Sequence, residues 1–110
     1  MIAEISKHFD EGGREACGFV LLTGEVVAVE NQATDPLMDF EVSEADLEKY
    51  EGIASATWHT HPSTGCNLSV TDYACFLVFP NLSHYIFDGV RLAHYVVQEG
   101  FVILKEIQTL

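Results

Sequence analysis

The residues best suited to chemistry in this sequence are two histidines and an aspartate. His59 and His61 flank Thr60, and Asp72 follows a short polar segment. The apolar run before the histidines predicts a buried strand, in which alternate side chains point to the same face, so both imidazoles can reach one point. Two imidazoles and one carboxylate can bind a zinc ion and leave one coordination position open, which is the pattern of catalytic rather than structural zinc sites.

Each part of this pattern also has a purely structural interpretation. A histidine pair on a strand is more often part of a polar face than a pair of metal ligands. Ser69 and Asp72 have the spacing of an N-terminal capping box, in which the serine accepts a backbone N–H and the helix dipole favours the aspartate. The two interpretations are compatible, because a helix N-terminus directed at the end of the strand would present Asp72 to the histidines.

Four segments of the chain together resemble the signature of the JAMM (MPN-plus) zinc metallopeptidases. They are Glu15-Ala16-Cys17-Gly18, His59-x-His61-Pro62, Gly65-Cys66-x-Leu68 and Ser69-x-x-Asp72. The resemblance covers about residues 15–79, which is more than half of the chain, and the combination of segments is specific to that family.

This resemblance implies a fold, a reaction and a role for each site residue. The fold would be a deaminase-like α/β layer with one zinc ion per chain at an edge of the sheet, bound by His59, His61 and Asp72. Zinc lowers the pKa of a bound water from ~15.7 towards ~7. Glu15 would be the general base that takes the proton of that water, and Ser69 would stabilise the oxyanion formed on an amide carbonyl. Glu11 is the nearest competitor of Glu15, but no Cys-Gly follows it.

Members of the family cleave amide or isopeptide bonds in protein or peptide substrates. They include deubiquitinases, enzymes that act on prokaryotic sulfur-carrier proteins, and domains of phage tail-assembly proteins. The short chain, Trp58 before the motif and the strands predicted after the motif helix are most similar to the prokaryotic and phage-tail branch. The expected partner is therefore a ubiquitin-like or sulfur-carrier protein or a phage tail component, and the expected location is the cytoplasm, or the virion for a phage protein.

The main rival is a non-catalytic interaction or scaffold module of the same family that retains the metal site. A zinc nucleoside deaminase is not supported, since the sequence has no His-x-Glu and no Pro-Cys-x-x-Cys element. We expect Cys66 to be structural, because a fourth protein ligand would displace the water. Cys17 and Cys75 lie in apolar runs and are expected to be buried and inert. His84 and His94 are not expected to enter the site.

Composition limits the remaining classes of function. The chain has 110 residues, 48% of them hydrophobic, and a net charge of −12, which favours a single globular domain over residues 1–110 and argues against binding to nucleic acid or to a membrane surface. No apolar run approaches the ~20 residues that span a bilayer, and no signal segment opens the chain. Three cysteines do not form a disulfide framework.

Hydrophobic periodicity and turn residues predict a series of short elements. Predicted helices cover residues 1–9, 44–50 and 70–79, and predicted strands cover residues 17–23, 25–31, 39–42, 53–60, 83–88, 90–98 and 101–108. Residues 32–38 are predicted to form a loop. This order favours an α/β domain with a mixed, largely antiparallel sheet and helices packed on it.

Overall fold

The chain alternates short helices and strands around one sheet. The computed structural model describes residues 1–35 and 40–110. In these residues the elements are α1 (Ile2–Ser6), β1 (Cys17–Leu21), β2 (Val26–Val29), α2 (Glu44–Tyr50), β3 (Ala54–Thr60), α3 (Val70–Val78), β4 (Ser83–Phe87), β5 (Arg91–Gln98) and β6 (Phe101–Thr109).

The strands of the described residues form one six-stranded sheet with the order β2-β1-β3-β4-β5-β6. Neighbouring strands are antiparallel except β3 and β4, which are parallel. Parallel neighbours need a crossover connection rather than a tight turn, and the segment that contains α3 supplies it. The predicted α/β class and the mixed, largely antiparallel sheet are confirmed.

Helices cover both faces of the sheet. On one face, Ile5 of α1 belongs to a buried cluster with Trp58 and Phe87. On the other face, Phe76 of α3 packs in a second cluster with Ile86 and Tyr95. Because side chains alternate along β3, its odd-numbered residues face α3 while its even-numbered residues face α1.

Gly18 has a steric function in the first hairpin. The Trp58 indole Nε1 donates to the carbonyl oxygen of Val27 at 3.1 Å, and the ring lies directly over Gly18. A Cβ at Gly18 would lie 2.8 Å from the Trp58 ring and would overlap the Val27 carbonyl. The glycine of the Cys-Gly pair is therefore required because a strand backbone and a tryptophan meet at this point.

Two predicted elements differ from the structure. The first helix ends at Ser6 rather than at residue 9. Residues 40–42 form no strand, and residues 36–39, which held the rest of that predicted strand and the end of the predicted loop, lie outside the described residues. Glu41 accepts from the backbone N–H of Gln32 at 2.8 Å, but its own N–H donates to the side chain of Asn31 at 3.0 Å. A side-chain amide thus replaces the strand partner that the segment would need.

The fold is as compact as expected for a domain of its length. The Cα radius of gyration is 12.6 Å, against about 13 Å for a compact domain of this length. Among the helices of the described residues, none has the length and apolar character that crossing a bilayer requires.

Candidate metal centre

The carboxyl end of β3 positions both histidines. His59 lies within the strand, where it pairs with Cys17 of β1 and Ile86 of β4. The backbone N–H of His61 still donates to the carbonyl of Phe87 at 2.8 Å, so the sheet holds both residues. Their Nε2 atoms lie 3.1 Å apart, which confirms that the two imidazoles reach one point.

The N-terminus of α3 brings Asp72 to the same point. Oδ1 of Asp72 lies 3.1 Å from Nε2 of His59, and Oδ2 lies 3.1 Å from Nε2 of His61. The capping box is also present, because Ser69 Oγ accepts from the Asp72 N–H and Asp72 Oδ2 accepts from the Ser69 N–H, each at 3.0 Å. The cap therefore fixes the carboxylate that faces the histidines.

The hydrogen bonds of His61 decide which ring nitrogen faces the cluster. Its Nδ1 lies 2.9 Å from the carbonyl oxygen of Gly65, which can only accept, so Nδ1 carries the proton. In the neutral ring Nε2 then presents a lone pair to Asp72, as a metal-binding imidazole does. A lone pair and a carboxylate that converge in a buried site require a cation between them, either protons or a metal ion.

The pKa values of the cluster reflect this need for positive charge. Burial by itself raises the pKa of Asp72, but hydrogen bonds from His59 and His61 outweigh it and hold the pKa far below the ordinary value. Burial lowers the pKa of His61, yet hydrogen bonds to Asp72 and Gly65 leave that pKa above its ordinary value. The site thus favours an ionised carboxylate beside a bound cation.

Glu15 completes the group of ligand-type side chains. Among the described residues, the ligand atoms of Glu15, His59 and His61 all lie within 4.8 Å of one another, and this group could hold a metal ion. Glu15 precedes β1, is only 9% exposed, and its charge contributes to the raised pKa of His61. The glutamate that precedes Cys17-Gly18 therefore lies at the histidine pair.

The spacing of the two imidazole nitrogens fits a tetrahedral metal ion such as zinc. A tetrahedral ion with bonds of about 2.0–2.1 Å separates its ligand atoms by about 3.3–3.4 Å. Nε2 of His59 and Nε2 of His61 are 3.1 Å apart, close to this value, and each lies 3.1 Å from a different oxygen of Asp72. All three side chains are buried, and two neutral nitrogens with one carboxylate are a donor set that zinc prefers.

Aromatic rings and an apolar cavity surround this cluster. Phe40 stacks on His59 with ring centroids 4.3 Å apart, and Phe76 packs against the same ring at 6.1 Å. A cavity of about 240 Å³ lies between α2 and α3, and Asp72, Phe40 and Leu47 are among the described residues that line it. These apolar neighbours lower the local dielectric, which strengthens the electrostatic interactions of the cluster.

The cysteines lie near the expected positions. Cys66 is buried, and its carbonyl accepts from the Tyr95 hydroxyl at 2.9 Å, so it has the expected structural location. Cys17 is buried, and burial, together with the charge of Glu15, raises the pKa of its thiol to about 12. Cys75 is only partly buried, which differs from the expectation, because it lies on α3 beside the cavity.

The two further histidines make structural contacts. His84 is buried, accepts from the Thr57 hydroxyl at 2.7 Å, and donates to the Phe79 carbonyl at 3.0 Å. It thereby ties the end of α3 to the sheet. His94 lies 2.9 Å from the Ser83 hydroxyl on the opposite face of the sheet. Neither belongs to the metal-binding group found among the described residues.

Two residues that position Glu15 were not assigned this function from the sequence. Thr60 was expected to contribute only packing, but its hydroxyl accepts from the Ala16 N–H at 2.9 Å. The side-chain Nδ2 of Asn31 donates to the Glu15 carbonyl at 2.7 Å. Both contacts join segments far apart in the sequence, and the only local signal was a polar residue at the end of each strand.

Neither family models nor curated proteins provide a relative of this chain. No family model matches the chain, and no curated protein matches it.

Proposed function

We propose that the chain is a zinc-dependent hydrolase that cleaves an amide or isopeptide bond in a protein or peptide substrate. The observation that carries this proposal is the convergence of Asp72 on His59 and His61, with 3.1 Å between donor atoms from a helix and a strand. Three buried protein ligands leave a fourth position for water in a tetrahedral ion, which is the arrangement of catalytic zinc sites.

When bound, zinc would supply a water of lowered pKa and polarise the substrate carbonyl. Glu15 would be the general base that accepts a proton from the attacking water and donates it to the leaving amine. The Glu15 carboxylate is nearly buried, and its ligand atom lies within 4.8 Å of those of the two histidines. A carboxylate this close to the histidine pair can reach a water molecule held at the open position of the ion.

Ser69 is the proposed donor to the oxyanion. Its Oγ already accepts from the Asp72 N–H, but a hydroxyl also has one proton to donate. The side chain is exposed, so a substrate carbonyl can reach it. The hydroxyl that caps α3 thus keeps a proton that it can donate to the oxyanion of a substrate.

The resemblance of the motif to the JAMM family supports a substrate class. A ubiquitin-like or sulfur-carrier protein, or a component of a phage tail, would present an amide or isopeptide bond to the site. Such a substrate is proposed for a protein of the cytoplasm or of a virion. A scaffold module that retains the same ligands is the alternative, and it predicts metal binding without turnover.

The test of this proposal is hydrolysis that depends on zinc. The metal-free protein is reconstituted with zinc and incubated with a ubiquitin-like protein that carries a peptide on its C-terminus through an isopeptide bond, and with peptide crosslinks. Mass spectrometry should detect a released amine with zinc but none after chelation. Zinc binding without release from any of these substrates, at any enzyme concentration, would instead support the scaffold module.

A further inference from the structure

Asn31 joins three segments beside the metal centre. Its side-chain Nδ2 donates to the carbonyl oxygen of Glu15 at 2.7 Å. Its Oδ1 accepts from the backbone N–H of Ala33 and from that of Glu41, each at 3.0 Å. One amide side chain therefore connects the residue before β1, the end of the hairpin and the segment that leads into α2.

The hydrogen bonds of Asn31 link the segment that carries Glu15 to the segment that packs on His59. Glu15 lies outside the strands, so its backbone position depends on anchors other than the sheet ladder. Thr60, between the two histidines, holds the following residue, Ala16, by two hydrogen bonds of 2.9 Å. Glu41 follows Phe40, whose ring stacks on His59. Asn31 thus ties the Glu15 backbone to the segment that packs on a histidine of the cluster.

We propose that Asn31 is a positioning residue that sets the distance between the Glu15 carboxylate and the histidine pair, an inference that rests on the function proposed for Glu15. The amide carries its donor and its acceptor on separate atoms, so Asn31 donates to one carbonyl and accepts from two N–H groups at the same time. Aspartate would keep the acceptor, lose the donor and place a negative charge against the Glu15 carbonyl. Asn31 acts through Glu15 and does not touch the reacting atoms. A displacement of about 1 Å in a positioned group costs ~10²-fold in rate.

The first part of the test uses the metal-free protein and NMR spectroscopy. In Asn31→Ala, the carboxylate ¹³C resonance of Glu15 should move, and the amide protons of Ala33 and Glu41 should exchange at least about 10-fold faster. Asn81→Ala, at an exposed residue, is the matched control and should leave all three signals unchanged. An unmoved Glu15 resonance in a folded Asn31→Ala protein would overturn the proposal, whatever the protein hydrolyses.

The second part asks whether Asn31 acts through Glu15. With Co²⁺ as a spectroscopic probe, Asn31→Ala should shift the d–d bands towards those of Glu15→Gln, and in the Glu15→Gln background it should shift them no further. Where a substrate is cleaved, kcat should fall about 10- to 100-fold in the wild-type background, with KM within about 2-fold. Asn31→Asp should behave like Asn31→Ala.

The outcomes separate this inference from the proposed hydrolase. Equal spectral shifts in both backgrounds would show that Asn31 acts independently of Glu15, and would overturn the inference even for an active enzyme. Absence of Co²⁺ binding and of hydrolysis in the wild type would count against the hydrolase instead. The Glu15 resonance of the metal-free protein would then still decide whether Asn31 positions the carboxylate.

Discussion

Oδ1 of Asp72 lies 3.1 Å from Nε2 of His59, so the start of a helix and the end of a strand meet at one buried point. The same aspartate closes the cap of α3 through Ser69. A single carboxylate therefore stabilises the helix and faces the histidines, and the capping and metal-site interpretations of the sequence describe the same side chain.

A second Ser-x-x-Asp segment in the chain provides a comparison for Asp72. Ser43 and Asp46 repeat the Ser-x-x-Asp spacing at the start of α2, and Ser43 Oγ accepts from the Asp46 N–H at 3.1 Å. Asp46 has no histidine partner among the ion pairs of the described residues. Substitution of Ser43 therefore removes a helix cap, and substitution of Asp46 removes an aspartate at the same helix position as Asp72, in both cases without touching the cluster. Both substitutions serve as matched controls.

Glu15→Gln should keep the metal and lose hydrolysis. The amide cannot take a proton from water, while His59, His61 and Asp72 remain as ligands. We expect a loss of about 10²- to 10⁴-fold in kcat, measured by release of the amine product, with one zinc ion per chain retained. Glu11→Gln, at an exposed glutamate of the preceding turn, is the control. Near-normal turnover in Glu15→Gln would assign the base to another residue.

Ser69→Ala should lower both stability and turnover. Loss of the cap is expected to cost about 1 kcal/mol of unfolding free energy, as it should in Ser43→Ala. Only Ser69→Ala should also slow turnover, by ~10²-fold, because it removes a donor to the oxyanion. Urea unfolding and steady-state kinetics on both variants separate the two effects. Equal turnover in the two variants would restrict Ser69 to its capping function.

Gly18→Ala should destabilise the hairpin severely. The added methyl group meets the Trp58 ring at 2.8 Å and overlaps the Val27 carbonyl, and neither the strand nor the indole can move without breaking the hydrogen bond between them. We expect a loss of about 3 kcal/mol or more in thermal or urea unfolding. Gly65→Ala, whose Cβ would lie 3.7 Å from Arg91, is the control. Similar stabilities for the two variants would contradict the packing described for Gly18.

His84 should make the metal-free protein less stable in mild acid. Burial lowers its pKa in the folded state to about 4 from 6.5, so between these values the unfolded chain binds the additional proton. The free energy of unfolding therefore falls as the pH drops below the unfolded pKa. The contribution of His84 should be about 2 kcal/mol smaller at pH 5 than at pH 7.

Urea unfolding of the wild type and of His84→Gln, both with a chelator, measures this contribution. His59, His61 and Asp72 are present in both proteins, so the difference between the two pH profiles measures the contribution of His84. Parallel profiles for His84→Gln and the wild type would contradict a neutral, buried His84.

The local elements could be predicted from the sequence because their signals are local. An apolar run predicted β1, alternating side chains predicted β2, and Gly100 marked the turn before β6, where its φ is +81°. The pairing of the strands is not local, so the parallel neighbours β3 and β4 could not be derived from periodicity. Residues 40–42 were wrongly predicted as a strand because no sequence pattern shows that a side-chain amide would replace a strand partner.

The candidate site could also be predicted only in part, because some of its contacts follow from local spacing and others join distant parts of the chain. The spacing of His59 and His61 dictates a shared face in any strand, and this prediction is confirmed. That Asp72 would reach the histidines depended on where α3 begins relative to the sheet, which the motif suggested and the structure provides. Asn31 and Thr60 anchor the Glu15 segment through contacts between parts of the chain that are far apart in the sequence. Asparagine and threonine are common in ordinary turns and strands, so their residue types did not indicate this function.

Zinc content is the most direct measurement of the central claim, that His59, His61 and Asp72 bind one catalytic zinc ion. Wild type, Asp72→Ala and Asp46→Ala are purified, reconstituted with zinc, desalted and analysed for metal per chain. We predict one zinc ion in the wild type and in Asp46→Ala, and none in Asp72→Ala. Full zinc occupancy in Asp72→Ala, or no zinc in the reconstituted wild type, would contradict the account.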